Sequence, residues 1–280
     1  MRDAFYLPAG ESFVSTDLTR GPWDPQAQHG GPPAALLGSE LERRHPRSDV
    51  VVARVTFEIL GPVPLQPLTV ITRVRRPGRS VELLEGVLSA GERDVLRAAM
   101  WRIRTSDTAA VAVPVEPPAP VPGPEHARPL EFFPTGYDEG YHTGIDARFV
   151  RGAFLESGPA LTWMRMRAPL VAGTATPALA RVLIAADSGN GVSGELDYQH
   201  WLFVNPELTV HLFRLPVGEW VCLDARTTIG GFGVGMAETV LRDEQGPIGR
   251  GAQSLYVTPR SQPSATSTAV AAEPMGRTGD

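Results

Sequence analysis

Two stretches of the chain, residues 50–104 and 206–257, alternate apolar and polar residues with a period of two, the spacing that lines one face of a β-strand. In ARVTFEILGPVP (53–64) the apolar set is Val55, Phe57 and Ile59, and it stops at a proline turn. ELTVHLFRLPVG (207–218) alternates in the same way before Pro216. Turn signals such as RPGR (76–79) and EQGP (244–247) divide the stretches. The predicted strands are 50–60, 67–75, 80–90 and 94–104, then 206–214, 219–228, 233–242 and 248–257. A helical run precedes each set: PPAALLGSELERR (32–44) and PALARVLIAAD (177–187). Leu36, Leu37, Glu40 and Leu41 recur at spacings of three and four, and Val182, Leu183 and Ala186 repeat that pattern.

The two sets resemble each other. Arg97, Ala99 and Met100 in VLRAAMWRIR (95–104) stand where Arg250, Ala252 and Gln253 stand in IGRGAQSLYV (248–257). The offset is 153 residues at these arginines and 154 between Pro62 and Pro216, so the chain reads as a duplicated domain. One helix followed by antiparallel strands is an α+β unit with the sheet packed on the helix. Residues 112–134 hold eight prolines and read as an extended linker; 261–280 is Ser, Thr, Ala and Pro without periodicity and reads as a disordered tail. The expected organisation is therefore an N-terminal domain over 1–111, a linker, a C-terminal domain over 135–260, and a tail.

Composition narrows the chemistry. A net charge of −5 argues against a general nucleic-acid binder. All 26 basic residues are arginine, which removes phosphate-loop, Schiff-base and Ser-Lys chemistry. Cys222 is the one cysteine, so no intramolecular disulfide forms and a cytoplasmic setting is expected. No run approaches the ~20 apolar residues of a membrane span, and no signal-peptide stretch opens the chain. The histidines show no metal-ligand spacing, and neither a metal nor a cofactor is expected. IGGFGVG (229–235) precedes a strand pattern rather than a helix, against nucleotide binding. GVSGE (191–195) is no serine nucleophile elbow.

One junction stands out. QAQHGGPPAALL (26–37) sets His29, Gly30, Gly31 and two prolines before the first helix. A helix start offers unpaired N–H groups and a positive dipole end, and bare glycine backbone admits a carbonyl oxygen. HGGPP thus reads as an oxyanion cradle, and equally as tight-loop chemistry. His29 reads as a donor to the carbonyl or a shaper of the loop, and Trp23 as a packing residue. Asp187 follows the apolar run LIAA, where a carboxylate is partly desolvated, or else simply closes the helix into the SGNG turn. Arg73, Arg75, Arg76 and Arg79 cluster at one turn and suit either coenzyme A phosphates or a solvated hairpin end.

GPWDPQAQHGGPPAALL (21–37), RVLIAAD (181–187), VNPELTVHLFRLPVGEWV (204–221) and GAQSLYV (251–257), in that order, resemble the thioesterase-like superfamily related to bacterial acyl-CoA thioesterase II. The resemblance spans most of residues 5–258. It implies a double hotdog, two tandem sheets each wrapped around a helix, that hydrolyses an acyl-CoA substrate without a cofactor and pairs as a homodimer. It also implies a catalytic Asp, Thr and Gln that orient a water. Asp187 and Gln253 match two of them, and Asn205 occupies the Thr place; Asn both donates and accepts hydrogen bonds. Gly30 and Gly31 would face the carbonyl, and Arg75 and Arg76 the coenzyme. Two rival expectations stand beside this one. Asp24 and His29, five apart, suit an enoyl-CoA hydratase, and the Asn at the Thr place suits a non-catalytic acyl-CoA or lipid binder.

Overall fold

The computed structural model describes residues 4–113, 120–130 and 135–260. The expected tail and much of the proline-rich segment lie outside them. In the first half, a hairpin of β1 (Tyr6–Ala9) and β2 (Ser12–Ser15) leads through a loop to helix α1 (Gly31–Arg44). Four strands follow: β3 (Val50–Ile59), β4 (Leu68–Arg76), β5 (Val81–Ala90) and β6 (Arg93–Arg104). In the second half, β7 (Arg128–Pro129) and the short helix α2 (Tyr141–Gly144) precede a hairpin of β8 (Ile145–Arg151) and β9 (Ala160–Met166). Helices α3 (Ala178–Ala186) and α4 (Gly189–Val192) come next. Then come β10 (Trp201–Val204), β11 (Glu207–Leu212), β12 (Val221–Ile229), β13 (Val234–Asp243) and β14 (Gly246–Pro259).

Among the described residues the strands form one antiparallel sheet ordered β1-β2-β4-β5-β6-β3-β11-β14-β13-β12-β9-β8-β7, with β10 beside β14. Outward from the β3–β11 junction the order reads alike on both sides, with β7 as one extra strand at the second-half edge. The register repeats too: Thr56 pairs Ala99 and Leu84 pairs Met100 in the first half, while Thr209 pairs Ala252 and Ala237 pairs Gln253 in the second. Each second-half residue stands 153 positions after its counterpart. At the junction Thr56 faces Thr209, and their hydroxyls are 3.2 Å apart.

Strand β3 is continuous apart from a register shift between Val52 and Arg54. Its counterpart breaks between Val204 and Glu207, because Pro206 has no N–H for the ladder. The predicted strand 206–214 is thus the second part of an interrupted strand. Both helices pack on the same face of the sheet and against each other, α1 over β4, β5 and β6 and α3 over β9, β12 and β13. Leu36, Leu37 and Leu41 of α1 and Leu179, Val182 and Leu183 of α3 are fully buried. The helices touch closely: a Cβ on Gly38 would meet Leu183 Cδ1 at 2.4 Å.

Two expectations need correction. The hairpins preceding each helix were missed; β9 is buried along most of its length and carries no alternation to reveal it. The proline-rich segment is not wholly a free linker, because Arg128 and Pro129 pair with Phe149 and Arg148. Pro122 accepts a bond from Trp163 Nε1 at 2.8 Å, and Pro124 one from Arg148 Nη1 at 3.2 Å. Prolines lack a donor but keep their carbonyls, and these dock the segment on the second half. No helix among the described residues is long and apolar enough to cross a membrane.

Candidate active site

The loop before α1 is held at both ends. Tyr6 Oη donates to Gln28 Oε1 at 2.6 Å, and Gln28 Nε2 donates to the Pro64 carbonyl at 2.8 Å. The Gln28 N–H reaches Val63 O at 2.7 Å, and the His29 N–H reaches Thr19 O at 2.8 Å. These bonds fix where α1 begins. Pro32 and Pro33 carry no N–H, and Ala34 donates back to Gly30 O at 3.1 Å. The amides of Gly30 and Gly31 are therefore the ones that need an acceptor from outside the helix at this start. Gly31 donates to His29 Nδ1 at 3.0 Å. No protein acceptor meets the Gly30 N–H among the described residues. Gly30 borders a cavity of about 400 Å³, and Gly31 does not.

The far wall of that cavity comes from the second half. Asp187 closes α3 and is buried, and its carboxylate presses on the start of α1. A Cβ on Gly30 would lie 2.8 and 2.9 Å from its two oxygens, so a larger residue there would displace the carboxylate. At Gly31 a Cβ would strike Ile184 O at 2.5 Å. Asn205, freed from the ladder by the following Pro206, donates from Nδ2 to Asp187 Oδ1 at 3.0 Å and to Glu207 O at 3.3 Å. Gln253 points inward from β14. Its Nε2 donates to the Asp187 carbonyl at 3.1 Å and lies 3.5 Å from Oδ1, while its Oε1 accepts the Asn190 N–H at 3.1 Å.

His29 completes the carboxylate's surroundings, with Nδ1 3.1 Å from Asp187 Oδ2. Burial holds its pKa below the usual histidine value, against the pull of the Asp187 charge. Near neutral pH the ring is therefore uncharged. Its Nδ1 offers either a lone pair to the Gly31 amide or an N–H to Asp187, but not both. The Tyr141 ring stacks on the imidazole at 3.7 Å and 6°. The Tyr141 hydroxyl donates to Ile184 O at 2.8 Å and lies 2.9 Å from Ser188 Oγ. Burial pushes this phenol well above its ordinary value, so it stays protonated. Tyr141 thereby ties His29 to the end of α3.

Asp187, Asn205, Gln253, His29 and Gly30 thus come together, while Gly31 stands just behind. Arg75 and Arg76 do not join them. Arg75 lies 3.7 Å from Glu85, and Arg76 donates to Val81 O at 2.8 Å and covers Trp101. Both belong to the β4–β5 hairpin end and are absent from the cavity lining. Asp24 lines the cavity but binds the Gln26 N–H at 2.8 Å, and no contact joins it to His29. Sequence reasoning missed Asn190 and Tyr141. Asn190 sat in an apparent turn, and Tyr141 lies far from every motif. Trp23, read as packing, packs edge-on to Phe203 at 5.0 Å and also lines the cavity. Among the described residues no group of His, Cys, Asp and Glu could hold a metal ion.

Comparison with known proteins follows the same division of the chain. Residues 19–103 match the family model of the acyl-CoA thioesterase N-terminal domain, and residues 117–257 match that of the C-terminal domain. Solved structures agree in fold. A candidate thioesterase II of Thermobifida fusca YX shares 18% identity at a TM-score of 0.71, covering 90% of this chain and 95% of that one. A hot dog fold protein of Alicyclobacillus acidocaldarius shares 16% at 0.70, covering 90% and 95%. An acyl-CoA thioesterase II of Mycobacterium marinum shares 12% at 0.62, covering 83% and 91%. No curated protein sequence matches.

Proposed function

The chain belongs to the acyl-CoA thioesterase family, and within that thioester-hydrolase chemistry we propose that Asp187 activates a water against an acyl-CoA bound where the two halves meet. We read those halves as a double hotdog, and the register repeated at 153 residues supports that reading. The observation that carries the proposal is the packing of the Asp187 carboxylate close beside Gly30, where a Cβ would lie 2.8 Å from it, so that base and open amide border the same cavity.

The thioester carbonyl oxygen accepts the Gly30 N–H at the positive end of α1. As water attacks, negative charge grows on that oxygen, and one such donor contributes roughly 10²–10³ in rate. Asp187 takes the water's proton, the carbon–sulfur bond breaks, and the proton passes to the departing thiolate. Asn205 keeps its side-chain carbonyl free to accept the other water hydrogen. The Gln253 amide is engaged within the protein, so Gln253 is a positioning residue rather than the water holder expected from the sequence. Trp23, Ile59, Val63 and Val204 give the cavity an apolar wall suited to an acyl chain. Two guanidinium groups adjoin the wall: Arg260 lies over Trp23 at 5.3 Å, and Arg93 donates to Pro62 O at 3.0 Å. Their nearness to the cavity supports assigning the coenzyme's phosphates to these two residues in place of Arg75 and Arg76.

Thiol release from a panel of acyl-CoAs, acetyl to palmitoyl, tests the reading. Release from at least one chain length is expected. Binding without release across the panel would contradict it, as would hydration of crotonyl-CoA with the thioester intact.

A further inference from the structure

We propose that Trp23 is the back wall that limits acyl chain length in the catalytic cavity, and that a cleft behind it is the space a longer chain needs. This rests on the hydrolase reading above and names its substrate class: acyl-CoAs whose chain ends at the Trp23 ring. A second cavity, of about 570 Å³, lies next to the catalytic one. Among the described residues Trp23 alone lines both. Elsewhere, sequence neighbours divide between them. Asn190 and Val204 border the catalytic cavity, while Gly191 and Phe203 border the cleft. The partition is thus a single residue thick, and its broadest piece is an indole ring.

The ring is held from two sides. Phe203 meets it edge-on at 5.0 Å, and the Arg260 guanidinium lies over it at 5.3 Å. Both holders are tied to β10. Phe203 is buried within that strand. Arg260 donates from its backbone N–H to His200 O at 2.8 Å and from Nε to Trp201 O at 3.2 Å. Strand β10 runs directly into Asn205 and its bond to Asp187. The wall comes from the first half, yet it is anchored on the strand that leads to the carboxylate. A wall fixed in that way discriminates by length. A methylene that gains apolar cover strengthens binding roughly fourfold, and one that a pocket cannot admit is rejected by about 10–200-fold.

The cleft suits the acyl end of the substrate rather than the coenzyme. Its charged lining residues are the carboxylates Glu156 and Asp197, which repel phosphate. Asp197 pairs with His200 at 2.7 Å, but no arginine or histidine lines the cleft itself among the described residues. Phe154, Leu155 and Leu196 supply apolar surface there. Leu155 is 61% exposed, and a chain lying in the cleft would cover it.

The test compares wild type and Trp23→Ala across acyl-CoAs from acetyl to palmitoyl, reading thiol release. Binding of the matching S-alkyl-CoA thioethers, which hydrolysis does not cleave, is measured in parallel. Wild-type kcat/KM should fall once the chain outgrows the cavity. Trp23→Ala should raise the long-to-short ratio of kcat/KM by roughly tenfold or more, the worth of two newly covered methylenes. The thioether affinities should shift the same way. A Cβ on Gly191 meets nothing within 4 Å, so leucine fits there and fills the cleft. Adding Gly191→Leu to Trp23→Ala should return the ratio to the wild-type value. Should Trp23→Ala not fold, Trp23→Phe decides, with a smaller shift in the same direction. An unchanged ratio would overturn the proposal, as would a gain that survives Gly191→Leu or a wild type that handles palmitoyl-CoA as well as its short homologues. Thiol release absent throughout, with the thioether profile still shifted, would refute the hydrolysis and uphold the wall.

Discussion

The two halves share one register and differ in what they put inside it. Gln253 and Asn205 of the second half stand where the first half has Met100 and Val52. Leu255 and Gly235 stand where the first has Arg102 and Glu82, a buried ion pair at 2.7 Å that Arg47 joins from 3.3 Å. The second half interrupts a strand with Pro206, and Asn205 turns to the carboxylate; the first bends its strand at Ala53 and keeps Val52 buried. In the proposed mechanism the chemistry is therefore divided. The first half supplies the open amide at the start of α1 and the His29 ring beside it, while the second supplies Asp187, Asn205 and Gln253. A fold that brings a helix start from one copy against a helix end from the other needs only a few inward substitutions to become asymmetric.

Exchanging residues between the halves is the way to break this comparison. The largest effect should come from Gln253→Met, which imports the first-half residue. It removes the bond to the Asp187 carbonyl and strands the Asn190 N–H, and a carboxylate displaced by about 1 Å can cost ~10²-fold in kcat. Steady-state thiol release measures it, and an unchanged kcat would deny Gln253 its positioning role. Asn205→Val should lower kcat by about tenfold through loss of a hydrogen bond to a charged group. Asn205→Thr, which keeps a donor, should stay within a few-fold of wild type. Equal activity of the two variants would show that the donor is idle.

The reverse exchange sharpens the comparison. Met100→Gln buries an amide without a partner and should cost about 1–3 kcal/mol of stability in urea titrations. Its kcat should not change, since Met100 lies outside the cavity; a lowered kcat would tie the first half's interior to catalysis. The smallest effect concerns pH. An unfolded histidine titrates near 6.5, and His29 in the native state titrates lower. As pH falls below about 6.5 the unfolded chain takes a proton that the native chain refuses, so stability declines until the native pKa is passed. Gln does not titrate, so His29→Gln should flatten the fall in Tm between pH 7.5 and 5.5. His45 and His142 are also shifted down, so the difference between variant and wild type is the readout. Identical slopes would remove His29 from the linkage.

Much of this was legible in the sequence because period-two alternation and internal repetition are local signals. The eight strands after the helices, both helices, and the meeting of residues 29, 30, 187, 205 and 253 follow from them and from the family resemblance. The β8–β9 hairpin was not legible, because a strand buried on both faces shows no alternation. Nor was the anchoring of Gln253, which depends on an Asn190 amide 63 residues away. The choice between Gly30 and Gly31 was hidden too. It turns on the imidazole folding back onto the Gly31 amide, a contact that identical neighbouring glycines cannot announce. The arginine cluster misled for the opposite reason, since charge spacing says nothing about which end of a sheet faces the cavity.

The account stands or falls on Asp187 as the base. Asp187→Asn keeps the shape and the hydrogen-bonding oxygen but not the basicity. Thiol release from a saturating acyl-CoA, measured with binding of the same ligand, should show kcat reduced by about 10²–10⁴ with affinity within a few-fold of wild type. A variant that turns over within about threefold of the wild type would contradict it, because the proton would then have gone elsewhere.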